Sequence, residues 1–150
     1  PKRRLAIASI SLSNSIIVNA PIDKVFYIGT DPERQLEWMS NDDELRGYTP
    51  PVKVGSTFET VSKFMGREVV VSNEIVVNDA PRRCDYAMSG TMNGIIEHHF
   101  EEVDGGVKVT IVLNGEMGGV LGAIAVPILK GQVDNQIKKD LTKLKTYMEA

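Results

Sequence analysis

The sequence holds almost no cysteine, carries no excess of positive charge and contains no long apolar run. A single cysteine, Cys84, cannot close an internal disulfide, which fits a reducing compartment. Seventeen Lys and Arg stand against twenty Asp and Glu, for a net charge of −3 and a pI near 5.4. Nucleic-acid binders usually show the opposite balance, so no nucleic-acid partner is expected. The glycine-rich apolar stretch from Gly118 to Leu129 falls short of the about 20 residues that cross a bilayer, so no stable membrane insertion is expected. Repeats, low-complexity tracts and linkers are missing too. The 150 residues therefore read as one domain over 1–150, large enough to bury a core without a metal or disulfide staple.

The N-terminus imitates a secretory signal, with Lys2, Arg3 and Arg4 before Leu5-Ala6-Ile7-Ala8, and Val18-Asn19-Ala20 as a cleavage site. Serines at 9, 11, 13 and 15 interrupt what should be a continuous apolar stretch. They alternate with Ala8, Ile10, Leu12, Asn14, Ile16 and Val18, which is the pattern of a half-buried strand. The expectation is a cytoplasmic protein whose first strand spans about 6–18, even positions inward.

Beyond this strand the chain reads as two short helices, a meander and a long helix. Ala20-Pro21 opens the first helix, with Ile22, Val25, Phe26 and Ile28 as its apolar face. Asp31 caps the second, which starts at Pro32 and carries Leu36, Trp38 and Met39. Residues 40–55 read as a loop, acidic at Asp42-Asp43-Glu44 and stiffened by Pro50-Pro51. Strand-like segments at about 56–65, 67–77, 82–90, 94–103 and 107–116 are separated by Gly66, Asn78-Asp79-Ala80-Pro81, Gly90 to Gly94 and Asp104-Gly105-Gly106. Asp104-Gly105 is the strongest signal for a two-residue type I′ turn. From about Pro127 to Glu149, Leu129, Val133, Ile137, Leu141, Leu144 and Met148 form one stripe, and Lys138, Lys139, Lys143 and Lys145 crowd the final turns. The fold class is α+β: a curved antiparallel sheet of about six or seven strands wrapped around the long helix. That helix is the only element long enough, at about 34 Å, to cover the sheet's apolar face.

Several of these segments carry a likeness. Ile17-Val18-Asn19-Ala20-Pro21 entering Lys24-Val25-Phe26, followed by Thr30-Asp31-Pro32-Glu33-Arg34 and Trp38, resembles the START/Bet v 1-like (SRPBCC) superfamily. Within it the likeness is to the polyketide cyclase/dehydrase and lipid transport group. Val54-Gly55-Ser56-Thr57-Phe58, Ala80-Pro81-Arg82-Arg83 and Phe100-Glu101-Glu102-Val103-Asp104-Gly105-Gly106-Val107 extend it over nearly the whole chain. The resemblance implies a helix-grip fold in which sheet and long helix enclose an apolar cavity.

Strand parity supplies a lining independent of that likeness. A two-residue Asp104-Gly105 turn pairs His98 with Ile111 and Phe100 with Val109, and the face they share is the apolar one. A symmetric Gly90–Gly94 turn would set Tyr86 opposite His98 and Cys84 opposite Phe100, with Met88 nearby. Phe58, Val71, Asn73 and Ile75 join this inner face, and its polar groups are Asn14, Asn73, Tyr86 and His98. Trp38, Leu129 and Val133 from the helices complete the candidate ligand-contacting set. An apolar surface with sparse polar groups suits a small-molecule pocket, and equally a solid core with a buried His–Tyr pair.

For chemistry, His98 is a candidate general base and Tyr86 its acid partner, in proton abstraction beside a carbonyl. No inward carboxylate is evident to orient the imidazole, so an orienting or structural role is preferred and no catalytic residue is assigned. His98 and His99 are adjacent on a strand and point to opposite faces, so they cannot chelate one ion. Glu97, His99 and Glu101 share the outer face with Lys108 and read as a solvated charge pair, and Asp42-Asp43-Glu44 lacks the spacing of a calcium loop. No metal and no cofactor is expected. Cys84 reads as a small buried hydrophobe, with Arg82 and Arg83 at the surface. Gly115 to Gly122 is either a gate or membrane-touching surface, or close backbone packing.

Three functions remain open: a carrier for a hydrophobic, lipid- or polyketide-like molecule; a cyclase or dehydratase using His98 and Tyr86; and a protein-interaction module. The sequence leaves the oligomeric state unknown.

Overall fold

A computed structural model of the chain describes residues 8–39, 42–118 and 122–150. Strand β1 (Ala8–Val18) leads into helices α1 (Ile22–Thr30) and α2 (Pro32–Trp38), then strand β2 (Asp42–Arg46). Four hairpins join β3 (Thr57–Phe64), β4 (Arg67–Asp79), β5 (Arg83–Gly90), β6 (Met92–Val103) and β7 (Gly106–Met117), and helix α3 (Val126–Glu149) closes the chain. The seven strands form one antiparallel sheet in the order β1-β7-β6-β5-β4-β3-β2. This is the expected helix-grip arrangement.

Alternation in β1 puts Ile10, Leu12 and Val18 in the core and leaves the serines outside. Pro21 is the N-cap of α1, one position before the first helical residue, and Val25, Phe26 and Ile28 are buried. Asp31 caps α2 as expected, its carboxylate accepting from the Glu33 N–H at 2.9 Å. The Trp38 indole N–H donates to the Ile28 carbonyl at 2.9 Å, fastening α2 to α1. Leu36, one of the apolar residues that α2 carries, is exposed, and Gln35 takes the inward position.

Further expectations give way on local grounds. The segment 40–55 is not all loop, because it contains β2. That strand is short, carries mostly charged residues and lies at the sheet edge, where charge blocks pairing with another chain. Positive φ at both turn positions occurs at Met65-Gly66 (53° and 77°), whereas at the Asp104 turn it falls on Gly105 and Gly106 (88° and 138°). The Asp104-Gly105 loop still has two residues, Val103 pairs with Gly106, and so His98 faces Ile111 and Phe100 faces Val109. The β5–β6 hairpin is shifted by two from the expected register: Cys84 faces His98 and Tyr86 faces Ile96. Gly94, assigned to the turn, lies inside β6 opposite Gly115. A shift of two leaves every side chain on its expected face. Lys143 and Lys145 lie near the C-terminal end of α3, where Lys145 pairs with Glu149, although the very last turn holds no basic residue.

Helix α3 leans on the β1 edge of the sheet. Asn14 Nδ2 donates to Asp134 at 2.8 Å, Lys145 Nζ to the Ile17 carbonyl at 2.7 Å, and the Asn19 N–H to Glu149 at 2.8 Å. Leu129, Leu141 and Leu144 are fully buried there with Val18, Val107 and Val109. A straight helix over a curved sheet cannot touch both edges equally. Space remains toward β3, β4 and β5.

Candidate functional site

That space is a cavity of about 220 Å³. Its apolar wall includes Trp38 from α2, Phe58 from β3, Val71 from β4, Met88 from β5, Ile96 from β6, Ile111 and Leu113 from β7, and Val133 and Ile137 from α3. Asn73, Tyr86, His98, Gln35, Gln136 and Asp140 bring polar groups, Thr60, Ser62 and Thr91 bring hydroxyls, and exposed Lys63 is the cation among its described lining residues. Of the expected set, Trp38, Phe58, Val71, Asn73, Tyr86, Met88, His98, Ile111 and Val133 line this space.

Phe100, Val109 and Leu129 do not. Phe100 meets Phe26 edge-on, ring centroids 5.1 Å apart, in the packed half beneath α1. Val109 and Leu129 lie in the solid core at 2% and 0% exposure. The physical reason is the lean of α3, which fills the β1–β7 side and opens the other. Asn14, also expected to face inward, is spent on Asp134.

His98 is held tightly. Its Nδ1 lies 3.0 Å from the Cys84 carbonyl, and a carbonyl only accepts, so Nδ1 carries the proton. Nε2 is then the lone-pair nitrogen of a neutral ring, and it has no hydrogen-bond partner among the described residues. Burial lowers the His98 pKa from 6.5 to about 4, because the charged ring would lose its hydration. The Tyr86 ring packs against it at 4.8 Å, tilted by 53°. The Tyr86 hydroxyl is already used: it donates to the Thr30 carbonyl and accepts from Gln35 Nε2 at 3.2 Å. Burial raises its pKa well above the ordinary phenol value. A Tyr86 proton is therefore not aimed at anything in the cavity, which removes the acid from the expected acid–base pair.

The expectation that no carboxylate faces inward is overturned by Asp140, 6% exposed, on the cavity wall with Gln136 Nε2 donating to it at 3.0 Å. Its signal is present in the sequence. Asp140 follows Ile137 by three and precedes Leu144 by four, so it shares their face of the helix. A charged residue on an apolar stripe escapes any reading in which hydrophobicity alone defines the stripe.

Cys84 is fully buried, and burial pushes its thiol up to about 12, so it is a poor nucleophile. On the outer face His99 lies 2.7 Å from Glu97, and Glu101 stands opposite Lys108 in the register. Arg83, read as a surface residue, grips the buried carboxylate of Asp85 with two nitrogens, Nε at 3.0 Å and Nη2 at 2.7 Å. Among the described residues no group of three or more His, Cys, Asp or Glu is placed to hold a metal ion. No described helix is long and apolar enough to cross a membrane. The gate or membrane surface expected at Gly115–Gly122 lies in part outside the described residues, at 119–121. Of the acidic run Asp42-Asp43-Glu44, only the Glu44 side chain is described, and it pairs with Arg46.

A family model described as polyketide cyclase/dehydrase and lipid transport matches residues 9–149. No curated protein matches the chain. Solved structures do. One from Thermus thermophilus has a TM-score of 0.80 at 15% identity, covering 93% of this chain and 97% of its own. The di-domain ARO/CYC StfQ from the steffimycin biosynthetic pathway gives 0.75 at 11% identity, covering 95% of this chain and 52% of its own. Ara h 8.0201 gives 0.70 at 13% identity, covering 95% and 98%. At these identities the likeness is one of fold.

Proposed function

We propose that this chain, which belongs to the polyketide cyclase/dehydrase and lipid transport family, binds a hydrophobic small molecule between its sheet and α3. The observation that carries this reading is the cavity itself. A void of about 220 Å³ lined mostly by apolar side chains costs stability when empty, because its walls lose dispersion contacts. A ligand that fills it restores them. The mostly apolar lining favours carrying or sequestering an intact molecule. Catalysis by His98 and Tyr86 is the weaker reading, since the Tyr86 proton is committed to a backbone carbonyl and His98, with a pKa of about 4, is a weak base. An interaction module has less support still, because nothing in such a role requires an internal void.

Native mass spectrometry of the purified protein, followed by solvent extraction, tests the proposal. A stoichiometric apolar ligand is expected, and Val133→Phe, which projects a ring into the cavity, should release it while the fold is retained. An apo mass that fails to take up an added apolar probe would sink the carrier reading.

A further inference from the structure

The donors nearest His98 on the cavity wall are spent, whereas the hydroxyls of half-buried Thr60 and Ser62 on β3 and of Thr91 in the β5–β6 turn line other parts of it. Gln35 Nε2 donates to the Gly29 carbonyl at 3.0 Å and to Tyr86, Trp38 Nε1 to Ile28, and the Tyr86 hydroxyl to Thr30. Asn73 Nδ2 donates to the Val71 carbonyl at 3.1 Å. Each of these bonds turns a protein donor away from the void. What remains facing it at its buried end is the lone pair of His98 Nε2, because Nδ1–H is fixed on the Cys84 carbonyl. The cation on the wall, Lys63, is exposed and thus at the rim.

A ligand must complement this pattern. A buried lone pair left without a donor costs about 1–3 kcal/mol, so an incoming O–H is favoured there. A carboxylate in the same place would set negative charge against a lone pair, with exposed Lys63 the one cation among the described lining residues, and would lose its hydration. We propose that the cavity admits an apolar molecule led by a hydroxyl group, an alcohol or a phenol, whose O–H donates to Nε2 of His98, and that it turns carboxylates away. The proposal rests on the ligand-binding reading above and deepens it from a hydrophobic molecule to a hydroxylated, uncharged one. His98 is then the residue that determines specificity.

Four naphthalenes substituted at one ring position separate the possibilities: naphthol, methoxynaphthalene, naphthoate and ethylnaphthalene, each titrated by calorimetry or ligand fluorescence at neutral pH. Naphthol should bind about tenfold tighter than methoxynaphthalene, which accepts but cannot donate, and naphthoate should bind more weakly than either. In His98→Phe the advantage of naphthol over methoxynaphthalene should vanish. In His98→Gln, whose amide oxygen supplies an acceptor, it should persist in part. Equal binding of naphthol with methoxynaphthalene or with naphthoate in the wild-type protein would overturn the proposal while leaving an unselective apolar cavity. Failure of all four, ethylnaphthalene included, would overturn the binding reading and this proposal together. Because the wild-type comparison decides the matter, a variant that misfolds does not shield the idea.

Discussion

His98 shows how one residue couples folding to pH. Its pKa is about 4 in the native protein and 6.5 as the ordinary value. Between those limits the unfolded chain binds a proton that the native state refuses, so stability rises with pH across the window and is lost as pH falls from about 6.5 toward 4. The full effect is on the order of 3 kcal/mol. Urea denaturation of the wild type should show this slope, and His98→Phe should flatten it. A slope unchanged in the variant would assign the pH dependence to other groups.

Gly94 is a second decisive position. A Cβ built there would lie 2.2 Å from the Asn114 carbonyl oxygen, a backbone atom that cannot step aside. Gly94→Ala should therefore destabilise by about 1–3 kcal/mol or more, as overpacking does. Gly131, exposed in α3 with nothing near its missing Cβ, makes the control. Gly131→Ala should stabilise by about 0.5–1 kcal/mol. Thermal melts of the two variants should move in opposite directions.

Among the elements, α2 is the most dependent on a single interaction. Only seven residues long, it begins at the Asp31 carboxylate and ends where Trp38 reaches back to α1. Asp31→Ala should cost about 0.5–2 kcal/mol, the usual loss of an N-cap, and should loosen the Trp38 side of the cavity. Protection of the Glu33 amide from hydrogen exchange reports it directly. Helix α3 depends instead on burial. Leu141→Ala, in its packed half, should cost about 2–5 kcal/mol by chemical denaturation.

The elements also show where local sequence is a poor witness. Edge strand β2 reads as a loop because an edge needs charge more than hydrophobicity. The β5–β6 register is easily misplaced because two glycines close together suggest a turn, while one of them serves the sheet by letting β7 approach.

In the whole molecule, the consequence of an off-centre helix is a packed half and a hollow half. Phe100, Val109 and Leu129 belong to the first, and His98, Ile111 and Val133 border the second. An occupied cavity should stabilise the native state by RT ln(1 + [L]/Kd), about 2.7 kcal/mol at a hundredfold excess over Kd. Naphthol should thus raise the melting temperature of the wild type and leave that of Val133→Phe unmoved. An equal shift in both would place the probe outside the cavity.

The sequence by itself determined the order of elements apart from edge strand β2, the inward face of every strand from β3 to β7, the β6–β7 register and the apolar stripe of α3. Period-two and period-3.6 patterns are written along the chain by the same residues that bury their own neighbours, so they need no knowledge of distant contacts. It also pointed to His98 and Tyr86 as the polar pair on the inner face. Only the tertiary structure decided which inward residues meet each other and which meet a void. Parity assigns a face, not what lies across from it. Whether Val109 packs solidly while Ile111, two residues on, borders open space depends on where a straight helix lies over a curved sheet. The same placement turned Asp140 inward, tied the Tyr86 hydroxyl to Thr30 and left the Nε2 lone pair of His98 facing the cavity.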